Sequence, residues 1–312
     1  MRLDAALVEL GFSKDWTPAS RKWFTGRIRT FITWAEGQGI HDIEDVTAPL
    51  VRRYVEYRRT TPSKYGKPLS SWTLYGHVLA IKDLLNWAVR EDLLDEKIVK
   101  RIERPKRDQK VIAVFNPRQI DLLFAACEQG ENQEQIARDK AILAVLIDTG
   151  IRANELCTLT RDRVYFADGE AWILVNGKGR KQREVGLGNH TRNLLHRYLH
   201  RYRRASREMP YVFVAKGDKP LTPEGLDRLL YRLRDRAGRE HFQGVRVSAH
   251  TFRHHYAVSY LQNGGDVYKL SRLLGHSTVA VTDGYLKAFT SKDARSGNNS
   301  VLDATKQNRS RT

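Results

Sequence analysis

Ala249–Ser277 reads AHTFRHHYAVSYLQNGGDVYKLSRLLGHS, and the rest of the chain is understood outward from it. Ser248 stands before it as a helix opener, and the pattern predicts one helix near 251–263 and a second near 266–274. His250 and Arg253 lie three apart, which puts an imidazole and a guanidinium on one helix face, where both can bind the same anion. His254 follows His250 by four, a spacing at which two histidines can share a metal. Thr251, however, stands where a metalloprotease motif has its glutamate, and no cysteine is near, so no metal site is expected. Leu273-Leu274-Gly275-His276 closes the stretch, and Tyr285 comes nine residues after that histidine.

Upstream, Thr149-Gly150-Ile151-Arg152-Ala153-Asn154-Glu155-Leu156 is a helix end turned by Gly150 and followed by an arginine in a tight segment. Glu155 is within reach of Arg152, and a guanidinium held by a carboxylate is a preorganised phosphate fork. Between these two motifs, three β-type runs, Arg163 to Phe166, Ala171 to Val175 and Glu184 to Leu187, alternate with turn clusters and predict a small antiparallel sheet. Lys178, in Gly177-Lys178-Gly179, falls at the tip of the second hairpin. An ammonium there is commonly a solubility group, but on a DNA-facing hairpin it can donate a proton to a leaving oxygen.

The order arginine, hairpin lysine, His-x-x-Arg, Gly-His, tyrosine resembles the tyrosine recombinases of the phage integrase family. The resemblance runs from about residue 115 to 287, through TGIRANEL, VNGKGRKQREV, AHTFRHHYAVSYLQNGGDVYKLSRLLGHS and TDGY. It implies that Tyr285 is the nucleophile, giving a 3′-phosphotyrosyl link and a free 5′-hydroxyl. It implies that Arg152 and Arg253 grip the non-bridging oxygens, that Lys178 is the general acid, and that His250 assists proton transfer from the tyrosine. His276 matches a phosphate hydrogen-bonding position, and Glu155 the acidic residue that supports the site. Two departures stand out: Gly284, a helix-weakening residue, immediately precedes Tyr285, and Lys287 falls where the family often has histidine.

Composition agrees. The 312 residues carry 54 Lys plus Arg against 36 Asp plus Glu, a net charge of +18 that suits a polyanionic partner. Hydrophobic residues at 41% suffice for a core, and 312 residues at about 150 per domain suggest two domains. The longest apolar run, Ala141 to Ile147, is far short of the roughly 20 residues a bilayer crossing needs. Two cysteines, Cys127 and Cys157, in apolar helical patterns fit a reduced intracellular compartment, and no secretory signal is legible. A prokaryotic cytoplasmic protein acting on the nucleoid is the expectation. Basic residues crowd two further helices: Arg197, Arg201, Arg203, Arg204 and Arg207 on one, Arg228, Arg232, Arg234, Arg236 and Arg239 on the other. Affinity for DNA should therefore fall steeply with salt.

Residues 1–105 are expected to form a helical unit, with helices opened by Thr17-Pro18 and Thr47-Ala48-Pro49 and a third from Ser71 to Arg90. Some 15 residues precede the first of these helices, too few for a separate arm-binding domain, which favours an Xer-like layout. KRIERPKRDQK, residues 100–110, marks a basic linker near 100–112, either solvated or lying along phosphates. Residues 113–290 are the expected catalytic domain and 291–312 a polar tail, in which Val301-Leu302 is the one hint of a docking segment.

The expected fold is therefore mostly α with a small antiparallel β-sheet. In it, a helical core-binding domain and a tyrosine-recombinase catalytic domain form a clamp on double-stranded DNA. The expected function is site-specific recombination by a homotetramer on paired sites, with no metal, ATP or other cofactor, since no P-loop is present. A type IB topoisomerase-like relaxing enzyme uses similar residues, and a non-catalytic DNA-binding regulator has no use for Tyr285. A metal-dependent nuclease needs clustered carboxylates that the sequence lacks.

Overall fold

The computed structural model of the chain describes residues 1–63, 66–108, 113–177, 182–204, 206 and 208–275. It divides into two compact units, Met1–Lys110 and Val111–Thr312. Of the expected site residues, Lys178, His276 and Tyr285 lie outside the described residues, as do Arg207 and the 291–312 tail.

The first unit is a helical bundle: α1 Leu3–Phe12, α2 Pro18–Glu36, α3 Ala48–Thr60, α4 Ser71–Arg90 and α5 Glu96–Lys100. Thr17, Thr47 and Ser70 cap α2, α3 and α4 as hydroxyl acceptors for backbone N–H groups one turn on. Val78, Ile81, Leu84, Leu85 and Ala88 of α4 are buried against Ile28, Phe31 and Ile32 of α2 and Leu50, Val51 and Tyr54 of α3. Each such aliphatic side chain contributes about 1.5–3 kcal/mol by leaving water. The Tyr54 hydroxyl and His77 Nδ1 share a buried hydrogen bond of 3.0 Å.

Two expectations for this unit are corrected. The first helix begins at Leu3, not after Thr17: Leu3, Ala6, Leu7 and Leu10 repeat at helical spacing and are buried, packing α1 on α2 and α4. The segment after Lys100 is also no free connector as far as Asp108. Ile102 is buried, and Lys82 Nζ donates to the carbonyls of Val99 at 3.0 Å and Ile102 at 2.8 Å. Arg107 stacks over both Trp72 and Tyr75, 4.5 Å from each ring centroid, while Asp108 exchanges hydrogen bonds with Ser71. Charge composition marks a segment as solvent-facing but says nothing of arginines that stack on aromatic faces.

The second unit contains α6 Pro117–Cys127, α7 Gln133–Thr149 and α8 Ala153–Cys157. A three-stranded antiparallel sheet follows, β1 Val164–Ala167, β2 Glu170–Asn176 and β3 Gln182–Gly186, in that order. Next come α9 Asn189–Arg197, a single π-helical turn Tyr198–Tyr202, the hairpin β4 Val214–Ala215 with β5 Lys219–Pro220, then α10 Pro223–Ala237, α11 Ala249–Gln262 and α12 Val267–Leu274. The sheet falls where the three β-type runs and their turn clusters placed it. Ile173 pairs with Val164 on one side and Val185 on the other, and Ala171, Ile173 and Val175 point into the core. Asp168 and Gly169, both at positive φ, make the first turn. Before β4, Tyr211 forms an isolated bridge to Thr160, and strand pairing begins only at Val214.

Helix α7 is buried along Ala141–Leu146 and packs against α6, α9 and α11. Cys127 and Cys157 are unpaired and buried, and burial pushes both thiols up to about 12, so they act as small hydrophobes. Among the described residues no helix is long and apolar enough to cross a membrane.

Candidate phosphodiester site

The site forms where α7 ends, α8 begins, and β3, α11 and α12 converge. Gly150 closes α7 at φ 57°, and a β-carbon there would lie 2.6 Å from the Tyr256 ring, so both backbone conformation and space demand glycine. The turn delivers Arg152 to the N-cap position of α8. Glu155, one turn on, accepts the Arg152 backbone N–H on Oε2 and Arg152 Nη1 on Oε1, each at 2.8 Å. The carboxylate thus fixes both main chain and guanidinium of one residue. Ser248 caps α11 by accepting from Thr251 N–H, which sets the helix phase that carries His250 and Arg253.

The C-terminus of α12 gathers the cations. Its last carbonyls have no intrahelical donors and sit at the negative end of the helix dipole. Arg183 of β3 donates Nε to Leu273 O at 2.6 Å. Arg253 of α11 donates Nη2 to Leu274 O at 2.6 Å, and Arg152 donates Nη2 to Gly275 O at 3.2 Å. Three successive carbonyls therefore hold three arginines from three separate elements. Arg253 is 5% exposed and also donates Nη1 to Gly150 O at 2.8 Å. Arg152 keeps 38% of its side chain exposed, leaving an edge for an anionic ligand.

Glu155 is buried and also receives a two-pronged pair from Arg183, Nη1 to Oε1 at 3.0 Å and Nη2 to Oε2 at 2.8 Å. Burial on its own raises this carboxyl, but hydrogen bonds from Arg183 and Arg152 outweigh it and hold the pKa below the ordinary value. His250, one turn before Arg253, faces solvent. Partial desolvation of its ring, then the charges of Arg253 and Arg246, lower its pKa and favour the neutral imidazole that can accept a proton.

Of the expected site residues, Arg152, Glu155 and Arg253 are brought together and His250 stands on the Arg253 helix. Arg183 was not among the expected residues. Its signal in the sequence is an arginine two positions before buried Val185 on a short strand, which alternation turns inward. Part of the anticipated basic surface is also spent internally: Arg203 donates to the carbonyls of Met209, Tyr211 and Val212, and Arg234 and Arg239 both pair with Asp235.

Arg152, held from behind by Glu155 and the Gly275 carbonyl and open along one edge, is suited chemically to meet an anionic oxygen, with Arg253 fixed on the neighbouring Leu274 carbonyl. The sequence profile of the phage integrase family matches residues 113–292. The tyrosine recombinase XerC of Bacillus licheniformis is 30% identical over 291 residues, covering 91% of this chain and 90% of that protein. XerC 2 of Ralstonia nicotianae is 29% identical over 287 residues, covering 90% and 78%. The chain belongs to the phage integrase family and is a tyrosine recombinase, an enzyme that breaks and rejoins DNA at specific sites. Solved structures share the fold at lower identity. The Tn1549 transposon integrase in complex with transposon right end DNA has a TM-score of 0.73 at 15% identity, covering 95% of this chain and 98% of that one. A lambda integrase dimer bound to a core site has a TM-score of 0.66 at 17% identity, covering 91% and 95%.

Proposed function

We propose that the chain cleaves duplex DNA with Tyr285 as nucleophile. The tyrosine oxygen bonds to the scissile phosphorus as the bond to the 5′-oxygen breaks. His250 takes the phenol proton and Lys178 supplies one to the departing 5′-oxygen. Arg152 and Arg253, with His276, hold the non-bridging oxygens and stabilise the added charge of the pentacovalent transition state. Attack by the 5′-hydroxyl of another strand on the phosphotyrosyl link reverses these transfers and frees the tyrosine. The phosphotyrosyl link conserves the energy of the broken phosphodiester bond, so resealing needs no ATP, and the arginines, lysine and histidines supply the charge stabilisation a metal would otherwise give.

The observation that carries this reading is the fixing of Arg152 and Arg253 on the consecutive carbonyls of Gly275 and Leu274. Such pairing presets two guanidiniums side by side before the substrate arrives, so little reorganisation accompanies charge development. Each of the two units contributes to contacting double-stranded DNA, and four copies act on two paired sites in the bacterial cytoplasm. Integration, excision and dimer resolution are all outcomes of this one chemistry.

The test is a supercoiled plasmid carrying two copies of a specifically bound sequence, incubated with EDTA and without ATP. Recombinant circles of the sizes set by site spacing are expected. Relaxed plasmid without recombinants would favour a type IB topoisomerase-like activity instead.

A further inference from the structure

Glu155 orients Arg152, but a carboxylate paired with one guanidinium also cancels the positive charge that a phosphate is meant to meet. In this site the cancellation is taken up by a second cation. Both Glu155 oxygens are shared, Oε1 between Arg152 Nη1 and Arg183 Nη1, Oε2 between the Arg152 backbone N–H and Arg183 Nη2. Arg183 spends its remaining named donor, Nε, on Leu273 O. Its side chain is only 11% exposed, against 38% for Arg152, so it is the cation committed to the protein and Arg152 the one presented outward. Gly275 makes room for it: a β-carbon at that position would stand 3.0 Å from Arg183 Nη1.

We propose that Arg183 is a positioning residue that neutralises Glu155, so that the carboxylate can aim Arg152 without quenching its charge. This rests on the reading that Arg152 binds the scissile phosphate. With Arg183 in place, the Arg152–Glu155–Arg183 group carries a net positive charge. Without it, the Arg152–Glu155 pair is neutral, and a neutral pair stabilises a pentacovalent phosphorane far less.

The test is single-turnover formation of covalent protein–DNA adduct on a nicked duplex at saturating protein, with thermal melting followed in parallel. Arg183→Met, which keeps length but loses charge, is expected to slow adduct formation at least about 30-fold. Arg183→Lys, which keeps charge but loses the fork, is expected to stay within about 5-fold of the parent. In a Glu155→Gln background there is no charge left to neutralise, and Arg183→Met is expected to cost less than about 5-fold relative to Glu155→Gln alone. That comparison stands even where Arg183→Met by itself folds poorly. A lysine variant as slow as the methionine one would overturn the proposal in favour of a purely geometric staple. An equal loss from Arg183→Met in both backgrounds, or no loss in either, would overturn it as well. Absence of adduct from the parent protein would overturn the phosphotyrosyl reading itself, and this inference with it.

Discussion

The Arg253 guanidinium donates to the carbonyl of Gly150, 103 residues away in sequence, at 2.8 Å. This bond ties the helix that carries His250 to the turn that delivers Arg152. Gly150→Ala strains a backbone at φ 57° and drives a methyl group into Tyr256. A loss of about 1–3 kcal/mol is expected from the backbone conformation and crowding together. Chemical denaturation should show it, with adduct formation falling in the surviving folded protein because Arg253 loses its acceptor geometry.

The two arginines should separate in a stability–activity comparison. Arg253 is buried on backbone carbonyls, whereas Arg152 keeps an open edge. Arg152→Lys is expected to shift stability by less than about 1 kcal/mol while reducing cleavage about 100-fold or more. Arg253→Lys should cost cleavage to a similar degree and also destabilise by about 2–4 kcal/mol, since buried carbonyls lose their donors. Urea titrations beside single-turnover cleavage check both.

Most of the architecture was legible because it rests on local rules. Thr17-Pro18 and Thr47 with Pro49 announce helices that begin where they should, and the β-type run Ala171–Val175 lies within β2. Helix α1 escaped because its apolar repeat of Leu3, Ala6, Leu7 and Leu10 opens the chain without an N-cap side chain to mark it. The Arg152–Glu155 pair was legible from its spacing, whereas the meeting of Arg253 with it was implied only by the family resemblance. Arg183 was not legible, because its role depends on where α12 ends in space, and no local pattern relates β3 to Leu273 O.

Gly275→Ala tests the crowding at the end of α12. The residue sits at φ 63°, and a β-carbon there would stand 3.0–3.5 Å from the Arg183 side chain. A methyl group there should push Arg183 off Glu155, slowing cleavage about 10-fold or more while DNA affinity in a gel-shift assay stays within about 3-fold.

In the first unit, His77 should govern acid stability. Burial, then the charges of Arg58 and Arg27, lower its pKa from 6.5 to about 4. The neutral form is the one the fold accommodates, so this contribution is complete above pH 6.5 and is lost as pH falls through about 4. The unfolded chain binds more protons throughout that window, and stability rises with pH there, by about 3 kcal/mol in total. Equilibrium unfolding of the parent and His77→Phe between pH 4 and 7 should show the extra slope in the parent alone.

The most direct measurement uses a nicked suicide duplex bearing a specifically bound sequence, incubated with the protein in EDTA and resolved on a denaturing gel. A covalent adduct through a 3′-phosphate is expected from the parent protein, and none from Tyr285→Phe. An adduct that persists in Tyr285→Phe, or no adduct from the parent on DNA it binds specifically, would contradict the assignment of Tyr285 as the nucleophile.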